Sequence, residues 1–523
     1  MNRKVSLATA SLLLSPWALA MIPVTMSGPT PAIAPTYDAG IQKTVIYTVS
    51  NNVPNHSFPL TVSGILGAIT RVTVANDCGN GLPAGPSTCN LGIAITPLAS
   101  QIGSAISQTL QVNYGGRAPL SSSISFTASK ETVAVTVGNY KNNSNNYTPL
   151  AYFTKDSVYD WLLSSPITSI NSNNQSYLNG VACDSLEQQC VAVGSGFGEN
   201  GYSSALTYFS SNGGRSWTPS LTAAIPGYFY GVACTSSGQT CMAVGSDIGR
   251  TTAIAYVSSN YGSTWQQTGS LNAFLGSYFN LESIACDSSV TRCTAVGFYN
   301  NTLNGTNPSP LSYYTTNGGS TWIQSDPAIP LNATGKNYLN SVACGSSGLN
   351  CMAIGVYYTG SHTHTPLGYA SSNGGVTWTA VNPTENNSNA TDYLNGIACD
   401  SSGTTCVVVG YQRNTSIGYG NPGYYSPLSF YTSNAGQQWT ESLISTYPSA
   451  NGEGSYKIRL NTISCNASGQ NCTASGHYNN GNGNPMLPLN YYTSNGGANW
   501  YLAATQPLAQ GSGNNYLNGV YQP

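Results

Sequence analysis

Charge is nearly missing from this chain. Of 523 residues only 15 are Lys or Arg and 17 are Asp or Glu, 6% of the total, and the formal net charge is −2. Binding a phosphate backbone needs clustered Lys and Arg, so nucleic acid is excluded as a partner. Long apolar runs are missing as well. Beyond the first stretch none is long enough for a spanning helix, so no membrane span is expected after leader removal. Histidine is scarce: His56, His362, His364 and His477 are the only four, and none tracks the cysteines. That argues against a zinc site, and no metal or cofactor is expected. Phosphate-binding glycine loops, G-x-S-x-G and H-E-x-x-H do not stand out. Polarity is carried instead by Asn, Ser, Thr, Gly and 36 Tyr.

The N-terminus reads as an export signal. Met1 to Lys4 is a short basic segment, Val5 to Leu14 is mostly apolar, and Ala18-Leu19-Ala20 is a cleavage signal. Residues 1–20 are therefore expected to be removed, leaving a secreted, extracellular or periplasmic protein. Cysteine usage agrees. Twelve of the 14 Cys fall into six pairs of one C-x6-C spacing: Cys183/Cys190, Cys234/Cys241, Cys286/Cys293, Cys344/Cys351, Cys399/Cys406 and Cys465/Cys472. Cys78 and Cys89 make the remaining pair. Repeated short spacings in an exported chain predict local disulfides, and all 14 Cys are counted among the site residues as bridge formers.

The chain repeats one phrase. Ser210-Ser-Asn-Gly-Gly-Arg-Ser-Trp217 returns from Ser258, Thr315, Ser371, Thr432 and Thr493. Around it runs a longer module: Y-L-N-G-V-A-C, a turn, C-x-A-V-G, a variable loop, P-L-x-Y-Y, then the phrase. Its period of about 50 to 65 residues is that of a propeller or solenoid. Short apolar runs bounded by turn residues predict four strands per module, the unit of a β-propeller. In the phrase, Asn favours the turn, the second Gly supplies a positive φ, and Trp buries a large ring.

The phrase S-x-N-x-G-x-x-W resembles the Asp-box, or BNR, repeat of sialidase-like propellers. Asn stands at the family's Asp position, at Asn212, Asn260, Asn317, Asn373, Asn434 and Asn495. The resemblance implies a scaffold role for the phrase, on the side away from any active site. Thr154 to Trp161 is a degenerate seventh copy, with Asp156 in register and Val158 replacing Gly. Its module lacks a first strand, while the chain ends on Tyr516-Leu-Asn-Gly-Val520, a first strand with no module after it. The expected fold is therefore all-β: a seven-bladed Asp-box propeller over 131–523, the C-terminal strand closing the first blade. Residues 21–130 lack the repeat. Their alternating segments Lys43–Val49, Phe58–Val62, Ile69–Val74, Leu110–Tyr114 and Ser123–Phe126 predict a small immunoglobulin-like β-sandwich.

In such a blade the disulfide turn and the Asp-box turn share one face, and the variable loops occupy the other, where binding is expected. Counting back four residues from each first Cys gives Asn179, Tyr230, Glu282, Asn340, Asn395 and Asn461, and the closing strand adds Asn518. Two residues earlier lie Tyr177, Tyr228, Asn280, Tyr338, Tyr393, Arg459 and Tyr516. An amide ring beside a Tyr ring is predicted at the channel mouth, interrupted by Glu282 and Arg459. Amides and aromatic faces suit neutral sugars or peptides. The amides equally suit a ring that satisfies itself between blades.

A sialidase-type site needs an Arg cluster, a Tyr with a Glu partner, and an acid. Arg250, Arg413 and Arg459 can reach the variable face, with Asp247 and Glu282, but in no motif. A simple glycosidase needs two facing carboxylates, and that face offers few: Asp247, Glu282, Asp326, Glu385, Asp392 and Glu453. The reading is a monomeric, non-catalytic binding or adhesion protein for a glycan or an extracellular protein. A carbohydrate-active hydrolase is the alternative, and an assembly scaffold a second.

Overall fold

The computed structural model describes residues 24–522 apart from 31–35, 39–42, 65–68, 97–104, 130–132, 155–159, 166, 168–174, 198–201, 222–224, 272–277, 301–307, 326–335, 359–363, 384–389, 415–424, 445–456, 480–484 and 504–505. The expected leader, the middle of the degenerate phrase copy, and Asp326, Glu385 and Glu453 lie outside the described residues. The chain forms two compact units, Met1–Glu131 and Thr132–Pro523.

The first unit is built from β1 (Val24–Thr30), β2 (Thr36–Asp38), β3 (Lys43–Asn51), β4 (Leu60–Ser63), β5 (Ile69–Val72), β6 (Ser87–Ile95), β7 (Ala105–Tyr114) and β8 (Leu120–Ser129). They form two four-stranded sheets, ordered β1-β3-β6-β5 and β2-β8-β7-β4. Alternation along β3 and β7 turns Val45, Tyr47, Val49, Leu110 and Val112 into one core, where each is at most 1% exposed. Cys78 is bonded to Cys89, and both are buried in that core.

The second unit is a succession of sheets around a common channel, a β-propeller arrangement: four have four strands, one has five, and one of nine strands joins two antiparallel groups through the parallel pairing of Tyr425 with Lys457. The innermost strands are Ser176–Cys183, Tyr228–Cys234, Tyr278–Cys286, Asn337–Cys344, Ala390–Cys399, Lys457–Cys465 and Asn515–Tyr521. Each packs beside the next, and the last packs beside the first. The last belongs to the sheet whose other strands are Val135–Lys141, Tyr147–Thr154 and Trp161–Leu163. Asn515–Tyr521 pairs antiparallel with Val135–Lys141, so one sheet is made from both ends of the unit. That sheet is the first, and the others follow in chain order, with the two halves of the nine-stranded sheet as the sixth and seventh.

All fourteen cysteines are paired as the spacing predicts. Seven disulfides fit an oxidising compartment and not the cytoplasm. In the six C-x6-C units the two cysteines stand directly opposite each other on adjacent strands, for example Cys183 and Cys190. The turns they staple are linked in turn: Ser185 N donates to Ser236 O at 2.8 Å, and the relay continues through Ser288, Ser346 and Ser401 to Ala467.

The second cysteine of each unit is a core residue as well as a bridge former. Cys190, Cys241, Cys293, Cys351, Cys406 and Cys472 are each at most 1% exposed and belong to the apolar clusters between sheets. Each opens the second strand of its sheet, which is covered on both faces by the neighbouring sheets, so no ligand can reach its sulfur. The first cysteine lies on the innermost strand, and there Cys286, Cys344, Cys399 and Cys465 do border the channel. A bridge thus ties channel wall to core, and its role is mechanical. No described helix is long and apolar enough to cross a membrane.

The repeated phrase closes a tight turn. Ser210 Oγ accepts from Gly214 N at 2.9 Å, and Asn212 Oδ1 accepts from Ser216 N at 3.0 Å. Gly214 sits at φ +75°, where glycine is favoured. The same pair of bonds recurs at Ser258/Asn260, Thr315/Asn317, Ser371/Asn373, Thr432/Asn434 and Thr493/Asn495. The Trp that follows ties its sheet to the preceding one: Trp322 Nε1 donates to Thr268 Oγ1, Trp378 to Ser312 Oγ and Trp500 to Ser429 Oγ. The phrase therefore holds sheets together, which is structural work far from the channel mouth.

Candidate functional site

The glycine of C-x-A-V-G and the asparagine of Y-L-N-G-V are two halves of one device. In every innermost strand the register slips by one residue at the Asn position. Leu178 pairs with Gly194 and Gly180 with Val193, which leaves Asn179 as a bulge. The slip recurs at Tyr230, Glu282, Asn340, Asn395, Asn461 and Asn518. A bulge drives one backbone carbonyl toward the neighbouring strand and re-aims the side chain that follows. Only glycine fits opposite: a Cβ on Gly194 would lie 1.8 Å from Tyr177 O, and one on Gly410 would lie 1.8 Å from Tyr393 O.

The bulged side chains converge on a channel cavity of about 760 Å³, which all seven line. Five of them form a relay. Asn179 Nδ2 donates to Phe229 O at 2.8 Å, Asn340 to Leu394 O at 2.7 Å, Asn395 to Leu460 O at 2.8 Å, Asn461 to Leu517 O at 2.8 Å, and Asn518 to Leu178 O at 3.0 Å. Each bond crosses to the next innermost strand, and the last closes the circuit. Each amide nitrogen thus spends one N–H on the relay, which leaves the amide oxygens, and the second N–H of Asn179, Asn340 and Asn395, as the groups available to the channel.

Glu282 and Tyr230 interrupt this relay side by side. Glu282 Oε1 accepts from Asn280 Nδ2 at 2.9 Å. Burial pushes its carboxyl above the ordinary carboxylate range, against the opposing pull of Asn280 and Arg250. Burial likewise pushes the Tyr230 phenol up, with Glu282 adding to the rise. Arg250 lies in the loop between the second and third strands of the third sheet. Its guanidinium is 4.7 Å from the Tyr228 ring centroid and 5.3 Å from that of Tyr278, and it donates to the Tyr278 hydroxyl. Tyr230, Glu282 and Arg250 therefore form one cluster on one side of the mouth.

Above the amide ring the expected Tyr positions meet an arc of aromatic rings. It runs from Tyr278 to Phe298 (6.2 Å), Tyr338 (4.7 Å), Tyr358 (5.8 Å), His364 (3.9 Å), Tyr393 (4.5 Å), Tyr411 (4.5 Å) and Tyr425 (5.4 Å). A second stretch pairs Tyr147 with Tyr177 at 4.9 Å, and His477 packs on Tyr516 at 4.8 Å. Arg459 sits between Tyr411 and Tyr425, with its guanidinium 4.7 and 4.5 Å from the two centroids. Burial, then Arg459, hold His477 down to about 3, so its ring stays neutral. Its Nδ1 accepts from Asn461 Nδ2 at 3.2 Å.

The seven bulge positions line the cavity, while two residues earlier Tyr177, Tyr338, Tyr393 and Tyr516 pack on neighbouring rings and Asn280 is buried. Phe298, Tyr358, His364, Tyr411, Tyr425 and His477 were not anticipated as site residues, and Arg250 was weighed only for its reach to the variable face. A signal for three of them was present. Counting five residues on from each second Cys gives Ser195, Ser246, Phe298, Val356, Tyr411 and His477, the partners across the strand pair from the Tyr positions.

Asp392 precedes Tyr393 and turns away from the mouth, since successive strand side chains face opposite ways. It is 1% exposed. Burial pushes it up to about 6, with a bond from Gln412 opposing and Glu441 assisting. A carboxyl raised above its unfolded value of about 3.9 binds its proton sooner in the native state. It therefore detracts from stability above about pH 6, and that penalty disappears as pH falls toward 4. Asp392→Asn should raise unfolding free energy at pH 8 by about 1 to 2 kcal/mol and change it little at pH 4. Urea melts at the two pH values check this, and an equal effect at both would contradict it.

No protein-family model and no curated protein sequence matches the chain. Solved structures do. They include the GH74 xyloglucanase from Xanthomonas campestris, at 11% identity over 77% of this chain and 72% of that one, with a TM-score of 0.35. An ulvan lyase of polysaccharide lyase family PL25 matches at 12% identity over 64% and 86%, with a TM-score of 0.40. The α-L-arabinanase of Penicillium chrysogenum matches at 12% identity over 57% and 88%, with a TM-score of 0.34. At this distance the likeness carries no argument about what this chain binds.

Proposed function

We propose that this chain is an exported seven-bladed Asp-box β-propeller behind an immunoglobulin-like sandwich, and that it binds a glycan at the channel mouth without cleaving it. The phrase turns and the strand shared by both ends of the second unit support the propeller reading. The sheet order of the first unit supports the sandwich: β1, β3, β6 and β5 stand as strands A, B, E and D, and β4, β7 and β8 as C, F and G.

The observation that carries the glycan reading is the aromatic arc set over a ring of hydrogen-bond acceptors. Sugar rings present C–H faces that pack on Tyr and Phe, and hydroxyls that donate to amide oxygens. Concave sites with mostly aromatic walls and a few directed polar groups are what small polar ligands use. The expected result on a glycan array, read by retained protein and by mass spectrometry of the glycans, is retention with the glycans intact. Tyr338→Ala should weaken retention about tenfold, the equivalent of about 1.4 kcal/mol. Silence on every glycan would overturn the reading and turn attention to a protein ligand.

One observation favours a second reading, a carbohydrate-active hydrolase. Glu282, its carboxyl pushed by burial above the ordinary range beside Tyr230 and Arg250, has the character of a general acid. The same array separates the two, because shortened glycans would mean cleavage.

A further inference from the structure

The two interruptions of the ring differ in one respect. Glu282 has Arg250 beside it, while Arg459 has no anion. Among the described residues, nothing accepts a hydrogen bond from its guanidinium and no carboxylate pairs with it. Its Cζ lies 4.7 Å from the Tyr411 centroid and 4.5 Å from the Tyr425 centroid, and those two rings stand at 80° to each other. A guanidinium carries five N–H donors. Arg459 is half-buried and lines the channel cavity.

More positive charge stands beside it. Arg413 is the strand partner of Tyr425 on one side, and Lys457 is its partner on the other. Directly paired residues share a sheet face, so Arg413, Tyr425 and Lys457 form a row across the seam between the sixth and seventh sheets. Arg459 is two residues on from Lys457 and shares that face. The other groups facing the guanidinium are Tyr411, Tyr425, Tyr516 and His477. His477 is held neutral, and burial raises the Tyr411 and Tyr516 phenols. Asp392 turns to the opposite face, and Glu282 lies three sheets away around the channel.

We infer that this seam is an oxyanion site, with Arg459 as its fork, and that the mouth takes an acidic glycan whose carboxylate or sulfate ester docks there. The ligand class rests on the glycan reading above, whereas the oxyanion site rests on Arg459 alone. Arginine matches the two oxygens of such a group with two parallel N–H bonds. Contact with the two rings restricts the side chain before the ligand arrives, which lowers the ordering cost of binding. Three cations without a counter-ion repel one another in a partly dry site, and an anion relieves that repulsion.

Two measurements on the full chain test the inference. The first uses wild-type protein. Arg459 is modified with phenylglyoxal and its peptide followed by mass spectrometry, in sulfate, in acetate or in glucose at matched ionic strength. Sulfate or acetate should slow modification of Arg459 several-fold relative to glucose, and should leave Arg292 on the disulfide-turn face unprotected. Equal modification in all three would overturn the site. The second is calorimetry with a methyl glucuronide, a methyl galactoside sulfate and neutral methyl glucoside. One acidic sugar should bind at least tenfold tighter than the neutral one, and which one does so tells carboxylate from sulfate. Arg459→Gln should abolish that preference, Arg459→Lys should restore it only in part, and Arg292→Gln should leave it intact. Acidic and neutral sugars binding alike would overturn the ligand class. Protection of Arg459 without binding of any sugar would keep the oxyanion site and discard the glycan.

Discussion

A chain ending at Asn514 should fail to give the cooperative melting transition of the full-length protein. The closing strand supplies the innermost position of a sheet that is otherwise complete. Leu517 is fully buried and Val520 nearly so. Asn518 donates to Leu178 O and to Asn139 Oδ1, Tyr521 Oη donates to Asp184 O at 3.0 Å, and Gln522 N donates to Ser464 Oγ at 2.9 Å. Those partners belong to the first, second and seventh sheets, so removal opens the ring on both sides of the gap. Val135 and Val137, both 0% exposed, then stand on a bare edge beside a row of unpaired backbone groups. Losing burial of Leu517 and Val520 alone costs about 1.5 to 3 kcal/mol each, before any loss from the neighbouring sheets. Calorimetry of the truncated chain tests this. A peptide of residues 515–523 added in trans should restore part of the transition. A truncated chain melting at the full-length temperature would mean that the ring is held by something else.

Gly410→Ala should destabilise the protein by about 3 kcal/mol or more and disturb the mouth as well. The new Cβ would lie 1.8 Å from Tyr393 O and 2.8 Å from Tyr393 C. Those are backbone atoms of the bulge that aims Asn395 into the channel, so relief requires undoing the bulge. Asn395 would then lose its bond to Leu460 O, and Tyr393 would leave its stack on Tyr411. Gly249 is the control, because its nearest neighbour is the flexible end of Thr251 at 3.4 Å. Gly249→Ala should stay within about 1 kcal/mol of wild type. Denaturant melts of the two variants decide the point, and near-equal values would show that the bulge is plastic.

Much of the architecture was legible because the chain states it repeatedly. The C-x6-C spacing predicts the pairing of Cys183 with Cys190 and its counterparts, since so short a loop leaves little choice of partner. The orphan first strand at 516–520 predicts closure, because a module lacking that strand stands at the other end. Offsets from the first Cys bring Asn179, Asn340, Asn395 and Asn461 to one level, and the matching closing strand adds Asn518, because equal strand lengths carry equal residues to equal heights. The amide ring satisfying itself between sheets was one of the two outcomes anticipated.

Other features had no such trace. Spacing pairs Cys241, Cys293, Cys351, Cys406 and Cys472 with their partners but does not say that these sulfurs are sealed between sheets, because that burial comes from neighbouring modules. Strand alternation gives no hint that the Asn position is a bulge, and a one-residue slip changes which side chains lie opposite one another. Phe298, Tyr411 and His477 therefore escaped notice, although their offset from the second Cys is constant. Arg250 and Arg459 look alike in the sequence as isolated cations in Tyr-rich surroundings. Only the packing shows that one lies beside the carboxyl of Glu282 and that the other has no carboxylate partner among the described residues. The sequence by itself determined the repeat, the disulfides and the level of the ring, since each follows from spacing along one strand or one turn. Only the tertiary structure decided the bulge, the aromatic arc and the charge imbalance of the mouth, since each depends on contacts between strands far apart in the chain and on the burial those contacts create.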